Sequence, residues 1–549
     1  MKRSSRLYVA LQRLASASSV ELQVRFTNKI NRWRLALLVF ATVYASLLLF
    51  NLGYMSIQWD EMPHLYGGLL LTRGQTHEYL SLYGYYPPFY DIVTTGYYHL
   101  FGVSVASGRL AAVTFSLLSL WIIFEFADRA YGPRIALISS VLLGIMPGFF
   151  WLSRAAMLET MLVFFFSITL FFFFTWLSKH QDRALILSCL ALGIGFLAKY
   201  QVLVAGVVMI ASILLLGRDK LRLRFSKLLL VAVIAILVVV PWLFVLYQTN
   251  GVNNFGQLFY TINEGHLERT QYSTRFPAPI FYLIEVTWPY NDIHPIALPI
   301  YILGLLGLGL WAYRRKTEDK FFLTWFITVY VFFTLIPNKQ WRYVTPVFPV
   351  LAISAASFIM LVYGKAAEAW KHKQISINKK RLLKVAAGLF VIFTAVSVVY
   401  SSNEAYYMVA RDQIHIPIEE ATSYAVKHLG ENESIVVVCA FNLFNKDMVK
   451  FYLPANESKR NEVLQYPELP VDAFAPNFNL NEFIALCSSH NVKYVFLYEY
   501  GSTVPYFNTT LTLHDVYGML YHSGRFSGIS DEATFGANPR RIFVVSFIH

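Results

Sequence analysis

Trp59-Asp60-Glu61 sets two adjacent carboxylates directly after an apolar run that begins near Leu35. An acidic pair at the edge of a hydrophobic stretch needs water or cationic partners, which points to a site facing an aqueous cavity. Groups able to act beside it recur along the chain. They are Tyr85-Tyr-Pro-Pro-Phe-Tyr90, Arg109, Ser153-Arg154 with Glu159, Lys199-Tyr200, Glu264, His266, Glu268 and Arg269, and finally Lys339, Arg342 and Tyr343. Arginine grips phosphate through a planar fork and lysine as a point charge. A carboxylate within hydrogen-bond reach can take the proton of an acceptor hydroxyl. Two carboxylates with several cations therefore suit a substrate bearing a negative group and a hydroxyl to be deprotonated, and a phosphate attached to a lipid is the natural candidate.

The elements that must position these groups are membrane helices. Of 549 residues, 56% are hydrophobic and 14% charged, against about 25% charged in a soluble domain. Apolar blocks of roughly 20 residues, enough to cross a ~30 Å hydrocarbon core, recur from about residue 35 to 400. The pattern predicts a polytopic α-helical membrane protein of about eleven transmembrane helices. They fall at about 35–54, 108–127, 134–152, 159–177, 184–198, 202–217, 228–247, 294–313, 320–336, 344–363 and 382–401. The Phe-rich run 164–174 is apolar all round, as expected of a lipid-facing or packing surface.

Lysine and arginine orient these spans, because cytoplasmic loops carry the excess. If the basic segment 1–34 is cytoplasmic, the other inner loops are 128–134, 178–183, 218–227, 313–320 and 365–384, and every one is basic. The net charge of +13 is then mostly topogenic, so no nucleic-acid partner is needed. Residues 1–34 read as an amphipathic segment on the bilayer, not a signal peptide. The same count places 55–107, 248–293 and everything after about 402 outside, and every candidate residue falls on that outer face.

Residues 403–549 differ in texture. Strand-length apolar runs at Ile435-Val-Val-Val-Cys-Ala440, Tyr494-Val-Phe-Leu-Tyr498 and Ile542-Phe-Val-Val-Ser-Phe547 alternate with helical patterns at 418–428 and 481–490, predicting an extracytoplasmic α/β domain. It has no Gly-rich phosphate loop. Sequons begin at Asn432, Asn456 and Asn508, and Cys439 and Cys487 are available for one disulfide.

Trp59-Asp-Glu61, Tyr86-Pro-Pro88, Gly108-Arg109, Ser153-Arg-Ala-Ala-Met-Leu-Glu-Thr-Met-Leu162, Gly195-Phe-Leu-Ala-Lys199 and Arg342-Tyr-Val-Thr-Pro346 together resemble the GT-C glycosyltransferases. The branch is family 39 and its relatives, which include protein O-mannosyltransferases and lipid A aminoarabinose transferases. The resemblance covers about residues 30–400 and implies a catalytic transmembrane domain over 35–402. It also implies transfer of one sugar, mannose or another hexose, from a polyprenyl-phosphate donor to a hydroxyl of a protein, glycan or lipid acceptor, with inversion.

The same resemblance carries the catalytic role to Asp60, with Glu61 as helper. Donor phosphate falls to Lys199, Arg342, Tyr343, Arg154 and Arg109, and support to Glu159 and Tyr86. Relatives often have Asp at Glu159 and, in some bacteria, Lys at Tyr86. No cofactor is called for, and Glu264 with His266 are weak candidates for a divalent metal.

Other readings fit single residues. Arg342 and Tyr343 suit interfacial anchoring, Lys199 suits snorkelling, and Arg109 or Arg154 suits pairing with an acidic neighbour. A transporter or flippase would also line a polar path with charge, but here the charges gather at helix ends and no inverted repeat is visible.

Overall fold

The computed structural model describes residues 32–216, 225–250, 253, 256, 272–288, 294–371, 377–411, 415–438, 444–467, 478–499, 511–538 and 540–548. The segment 1–31, most of the second outer loop with Glu264 and His266, Cys439 and Asn508 lie outside them.

Helix α1 (Arg32–Leu49) leads through a short connection to a 3-10 turn, Trp59–Glu61, which runs straight into α2 (Met62–Thr72). Two further short helices, α3 (Thr76–Tyr83) and α4 (Phe89–Phe101), complete the region read from sequence as an outer loop. Gly102, at φ 80°, ends α4 in a conformation that favours glycine, and the Ser104 hydroxyl caps the start of α5 (Val105–Tyr131).

Gly132, at φ 94°, then turns the chain into α6 (Pro133–Gly144), followed by α7 (Pro147–Leu152) and α8 (Glu159–Lys179). Next come α9 (Asp182–Ala198), α10 (Leu203–Leu216), α11 (Phe225–Asn250) and the short α12 (Phe281–Glu285). The helical part ends with α13 (Leu298–Arg314), α14 (Thr317–Leu335), α15 (Phe348–Lys371) and the long α16 (Ile377–Arg411).

Each of the expected spans falls on a helix, with one break: 134–152 divides before Pro147, whose ring cannot continue the helix behind it. Among the described residues, Arg32–Leu49, Val105–Tyr131, Glu159–Lys179, Trp341–Glu368 and Leu382–Ala410 are long and apolar enough to cross a membrane, and four more apolar helices are shorter. The Phe-rich run is interior packing: Phe166 and Phe173 are wholly buried, Phe126 meets Phe171 edge-on, and Phe321 packs at a tilt against Phe174. By contrast α16 exposes Leu382, Val385, Leu389, Ile392, Val396 and Val399, a surface suited to lipid.

After α16, which continues past 402 to Arg411, come α17 (Ile418–His428), β1 (Ser434–Val438), α18 (Lys446–Tyr452), α19 (Glu457–Arg460) and β2 (Val463–Tyr466). Helix α20 (Leu480–Ser489), β3 (Val492–Tyr498), α21 (Leu513–His522), β4 (Thr534–Ala537) and β5 (Arg540–Ser546) finish the chain. The sheet runs β2-β1-β3-β5-β4, parallel across β2, β1 and β3 and antiparallel at β5 and β4. Its strands alternate between two cores. Ile435, Val437, Phe496 and Val544 join the core continuous with the membrane helices, while Val436, Val438, Leu497 and Val545 form a second one with Phe483 of α20 and Val516 of α21. Cys487 is buried there as a free thiol.

This domain packs against the region of α2 to α4. The Tyr83 hydroxyl donates to Asp447 (3.1 Å), Arg73 donates to the Leu453 carbonyl (2.5 Å), and Phe451 packs near the Tyr98 ring.

Candidate active site

Four helix ends meet at Asp60. It lies in the 3-10 turn before α2, Glu159 begins α8, Lys199 ends α9, and Arg342 lies in the 3-10 stretch Trp341–Val347 that leads into α15. Lys199 leaves α9 with an extended backbone (φ −159°, ψ 125°), which turns its side chain away from the helix path. Glu159 at a helix start and Lys199 at a helix finish carry the charges that the helix dipole favours there.

The side chains form a chain of ion pairs. An Arg342 Nη2 donates to Asp60 Oδ2 at 2.6 Å and to Gln340 Oε1 at 3.0 Å, its Nη1 lies 3.9 Å from Glu159 Oε1, and the Lys199 ammonium donates to the same Glu159 oxygen at 2.8 Å. Asp60 keeps 35% of its side chain exposed, against 5% for Glu159. The chain thus includes a partly exposed carboxylate, Asp60, and a buried one, Glu159, that faces two cations. Such an array can bind an anion through Arg342 and Lys199 and accept a proton on Asp60.

Glu61 and Arg109 are placed differently from the sequence expectation. Both side chains are wholly buried and joined by two hydrogen bonds, Nε to Oε1 at 2.8 Å and Nη2 to Oε2 at 2.7 Å. Arg109 spends its other donors on the carbonyls of Leu52, Met55 and Ser56, at 2.8, 2.8 and 3.1 Å. Glu61 also accepts from the Ala156 and Gln58 amides, at 2.6 and 3.0 Å. All five guanidinium N–H groups and all four carboxylate acceptor positions are filled, so the phosphate-binding place expected of Arg109 and the catalytic share expected of Glu61 have no free group behind them. The pair is a strut that fixes the 52–61 connection, and with it Asp60, against α5 and the turn before α8.

Arg154 is likewise turned from the cluster. Its Nη1 donates to the Leu47 and Leu48 carbonyls at 2.8 and 2.7 Å, capping the end of α1, and no ion pair to Glu159 is formed. Lys339 caps α14 in the same way through the Ile336 carbonyl (2.6 Å). The Tyr343 hydroxyl accepts from Asn338 at 3.4 Å, and Tyr86 packs edge-on to His64 with ring centroids 5.2 Å apart. Sequence reasoning missed Gln340 and the buried trio His64, Asp91 and Tyr79; the i, i+4 spacing of Asp60 and His64 was the signal available for the trio. Among the described residues, no cluster of three or more His, Cys, Asp or Glu forms a metal site.

The apolar helices and the ion-paired cluster at their ends define a multi-pass integral membrane protein. Residues 86–244 match the family described as dolichyl-phosphate-mannose-protein mannosyltransferase. The chain is 25% identical over 326 residues to an undecaprenyl phosphate-alpha-4-amino-4-deoxy-L-arabinose arabinosyl transferase of Proteus mirabilis, 56% of each chain. It is 24% identical to an uncharacterized protein of Aquifex aeolicus, over 57% of this chain and 62% of that one. The chain therefore spans little more than half the length of these curated relatives.

In structure it is similar to ArnT from Cupriavidus metallidurans in the apo state, with a TM-score of 0.63 at 16% identity over 92% of this chain and 97% of that one. The Archaeoglobus fulgidus oligosaccharyltransferase in the apo form matches with a TM-score of 0.54 at 13% identity, over 86% and 70%. The structural likenesses show the fold, and the sequence matches, over part of the chain, agree with the resemblance to the GT-C glycosyltransferases.

Proposed function

We propose that this protein transfers a single sugar from a polyprenyl-phosphate donor to an acceptor hydroxyl on the outer face of a membrane, with inversion at the anomeric carbon. The observation that carries the reading is the ion-paired chain Asp60–Arg342–Glu159–Lys199 at converging helix ends. When donor binds, its phosphate takes up Arg342 and Lys199, and the Asp60 carboxylate turns to the acceptor. The bond between the anomeric carbon and the phosphate oxygen breaks as the acceptor oxygen bonds to that carbon. Asp60 takes the hydroxyl proton, and the phosphate leaves with one more negative charge. The two cations, already held in place by Glu159, stabilise that charge without having to reorganise, which is the kind of preorganisation that lowers a barrier most.

Mannose or another hexose follows from the resemblance, while the sugar in the name of the Proteus mirabilis relative supports 4-amino-4-deoxy-arabinose as the second reading. The acceptor is a protein, glycan or lipid hydroxyl, and the basic inner loops support a cytoplasmic N-terminus with site and sheet domain outside.

Incubation with labelled dolichyl- and undecaprenyl-phosphate sugars, followed by identification of the labelled product, tests the reading. Asp60→Asn is expected to lower transfer by about 10²–10⁴-fold, the usual range for losing a general base, while donor still binds. Transfer at the parent rate would remove Asp60 from its role. Movement of a solute across vesicles without donor consumption would replace the enzyme by a transporter.

A further inference from the structure

Where the sheet domain meets α2 and α3 there is a cavity of about 300 Å³, which the transfer reaction leaves unused. Its volume is at the lower end for small-molecule sites. Residues from both sides line it. Tyr66 of α2 and Glu78 of α3 face Lys450 of α18, Arg460 of α19 and the Asn461-Glu462 pair that leads into β2. Carboxylates, cations, an amide and a phenol thus offer donors and acceptors in one small space.

Most of the charge in this lining is already compensated. Glu78 Oε2 accepts from the Gln75 amide at 2.9 Å, Glu462 Oε2 lies 3.1 Å from His490 Nδ1, and Arg460 pairs with Glu431 at 2.9 Å. Lys450 is half-buried and forms no ion pair among the described residues. Burial pushes the Tyr66 phenol up, so it stays an O–H donor.

Asn461 adds an observation of its own. It is 5% exposed, and its Nδ2 donates to the Gly430 and Glu433 carbonyls, both at 2.7 Å. Carbonyls only accept, so these two bonds fix which way the amide points. Its Oδ1 is left with no hydrogen-bond partner among the described residues. A buried acceptor without a donor is costly, so a ligand that supplies one binds with an advantage.

The ligand must therefore donate to Asn461 and Glu78 and accept from Lys450 within one small volume. A fully ionised anion only accepts and an ammonium only donates, whereas a hydroxyl does both. We propose that this cavity is a saccharide-binding site, with the sugar hydroxyls shared between Asn461, Glu78 and Lys450. A ligand held there touches both α2–α3 and the sheet domain and ties them together. The site is separate from the ion-paired cluster and does not rest on the transfer activity proposed above.

The test uses full-length protein in a detergent without a sugar headgroup. Glucose, galactose, mannose, N-acetylglucosamine and lactose are titrated in, with inorganic phosphate and glycine as controls, and ligand-observed nuclear magnetic resonance reads binding without turnover. At least one saccharide is expected to bind and neither control. Binding of no saccharide, or equal binding of a control, overturns the proposal. Lys450→Met and Glu78→Gln should each weaken the saccharide about tenfold or more, as expected for losing a hydrogen bond to a charged group, with the thermal midpoint of the unliganded protein near the parent's. Asp60→Asn should bind it as the parent does; loss of binding there instead would move the sugar to the ion-paired cluster and overturn the assignment.

Two readouts need no variant. The bound saccharide should raise the parent's thermal midpoint, because it binds only the folded state, and should slow acylation of Lys450 by an amine-reactive ester, followed by mass spectrometry. Lys450 labelling that saturating saccharide leaves unchanged overturns the site. A protein that binds saccharide here but transfers no sugar keeps this assignment and overturns the transfer reading alone.

Discussion

Asp60 and Glu61 are neighbours in sequence and opposites in environment. One is partly open and paired through Arg342, and the other is sealed with Arg109 beneath it. Removing one partner of a buried ion pair leaves an unpaired charge in low dielectric, at a cost of about 3–5 kcal/mol. Arg109→Met should therefore lower the thermal midpoint in detergent strongly and take activity with it, whereas Arg342→Ala should leave the midpoint near the parent's and weaken donor binding. A stable, inactive Arg109→Met with normal donor affinity would return Arg109 to the catalytic cluster.

Cys487 carries a related expectation. Burial pushes its thiol up to about 12, so in the native protein at neutral pH it should resist maleimide, as read by mass spectrometry, and react only on unfolding. Labelling of the folded protein would contradict its place in the second core.

Helix ends do the positioning, because a charged group at an end can reach a polar cavity while the helix body stays in apolar surroundings. The carbonyls at those ends are satisfied by side chains, Arg154 on α1 and Lys339 on α14. Close packing of helix bodies holds the ends in register. Gly307 of α13 lies so near α15 that a methyl group there would run into the Ser354 carbonyl, and the Ser354 hydroxyl donates to the Gly304 carbonyl at 2.8 Å. Gly307→Ala should push α13 from α15 and cost about 1–3 kcal/mol of stability, measured as a lower thermal midpoint and weaker retention of Arg342 geometry in donor binding. An unchanged midpoint would mean that the two helices separate freely.

The sheet domain and the membrane helices share one hydrophobic core, so they form a joined body. The join runs through the end of α2, α3 and α4, the segment that follows Asp60, by way of Leu453, Asp447 and Phe451. Asp447→Ala with Phe451→Ala is expected to loosen this seat, seen as faster proteolysis in 411–418 and a several-fold loss of transfer with Asp60 intact. Full activity in a protein with a loosened seat would separate the sheet domain from catalysis.

Periodicity and composition determined the membrane class, the helix positions, three of the five strands and the two helices at 418–428 and 481–490, because burial between lipid and packed neighbours imposes itself on every residue of a long segment. Asp60, Glu159, Lys199 and Arg342 were legible as candidates because charge at the end of an apolar run is costly wherever the run folds. Their separation from Glu61, Arg109 and Arg154 was not legible, since one residue type can hold a ligand or saturate itself on neighbouring carbonyls. Only the tertiary structure decided between those fates, by bringing the Leu52, Met55 and Ser56 carbonyls to Arg109 and the Leu47 and Leu48 carbonyls to Arg154. The short helices α2 to α4 and the trio of His64, Tyr79 and Asp91 within them went unseen for the same reason: long-range contact holds them in place, and contact leaves no period in the chain.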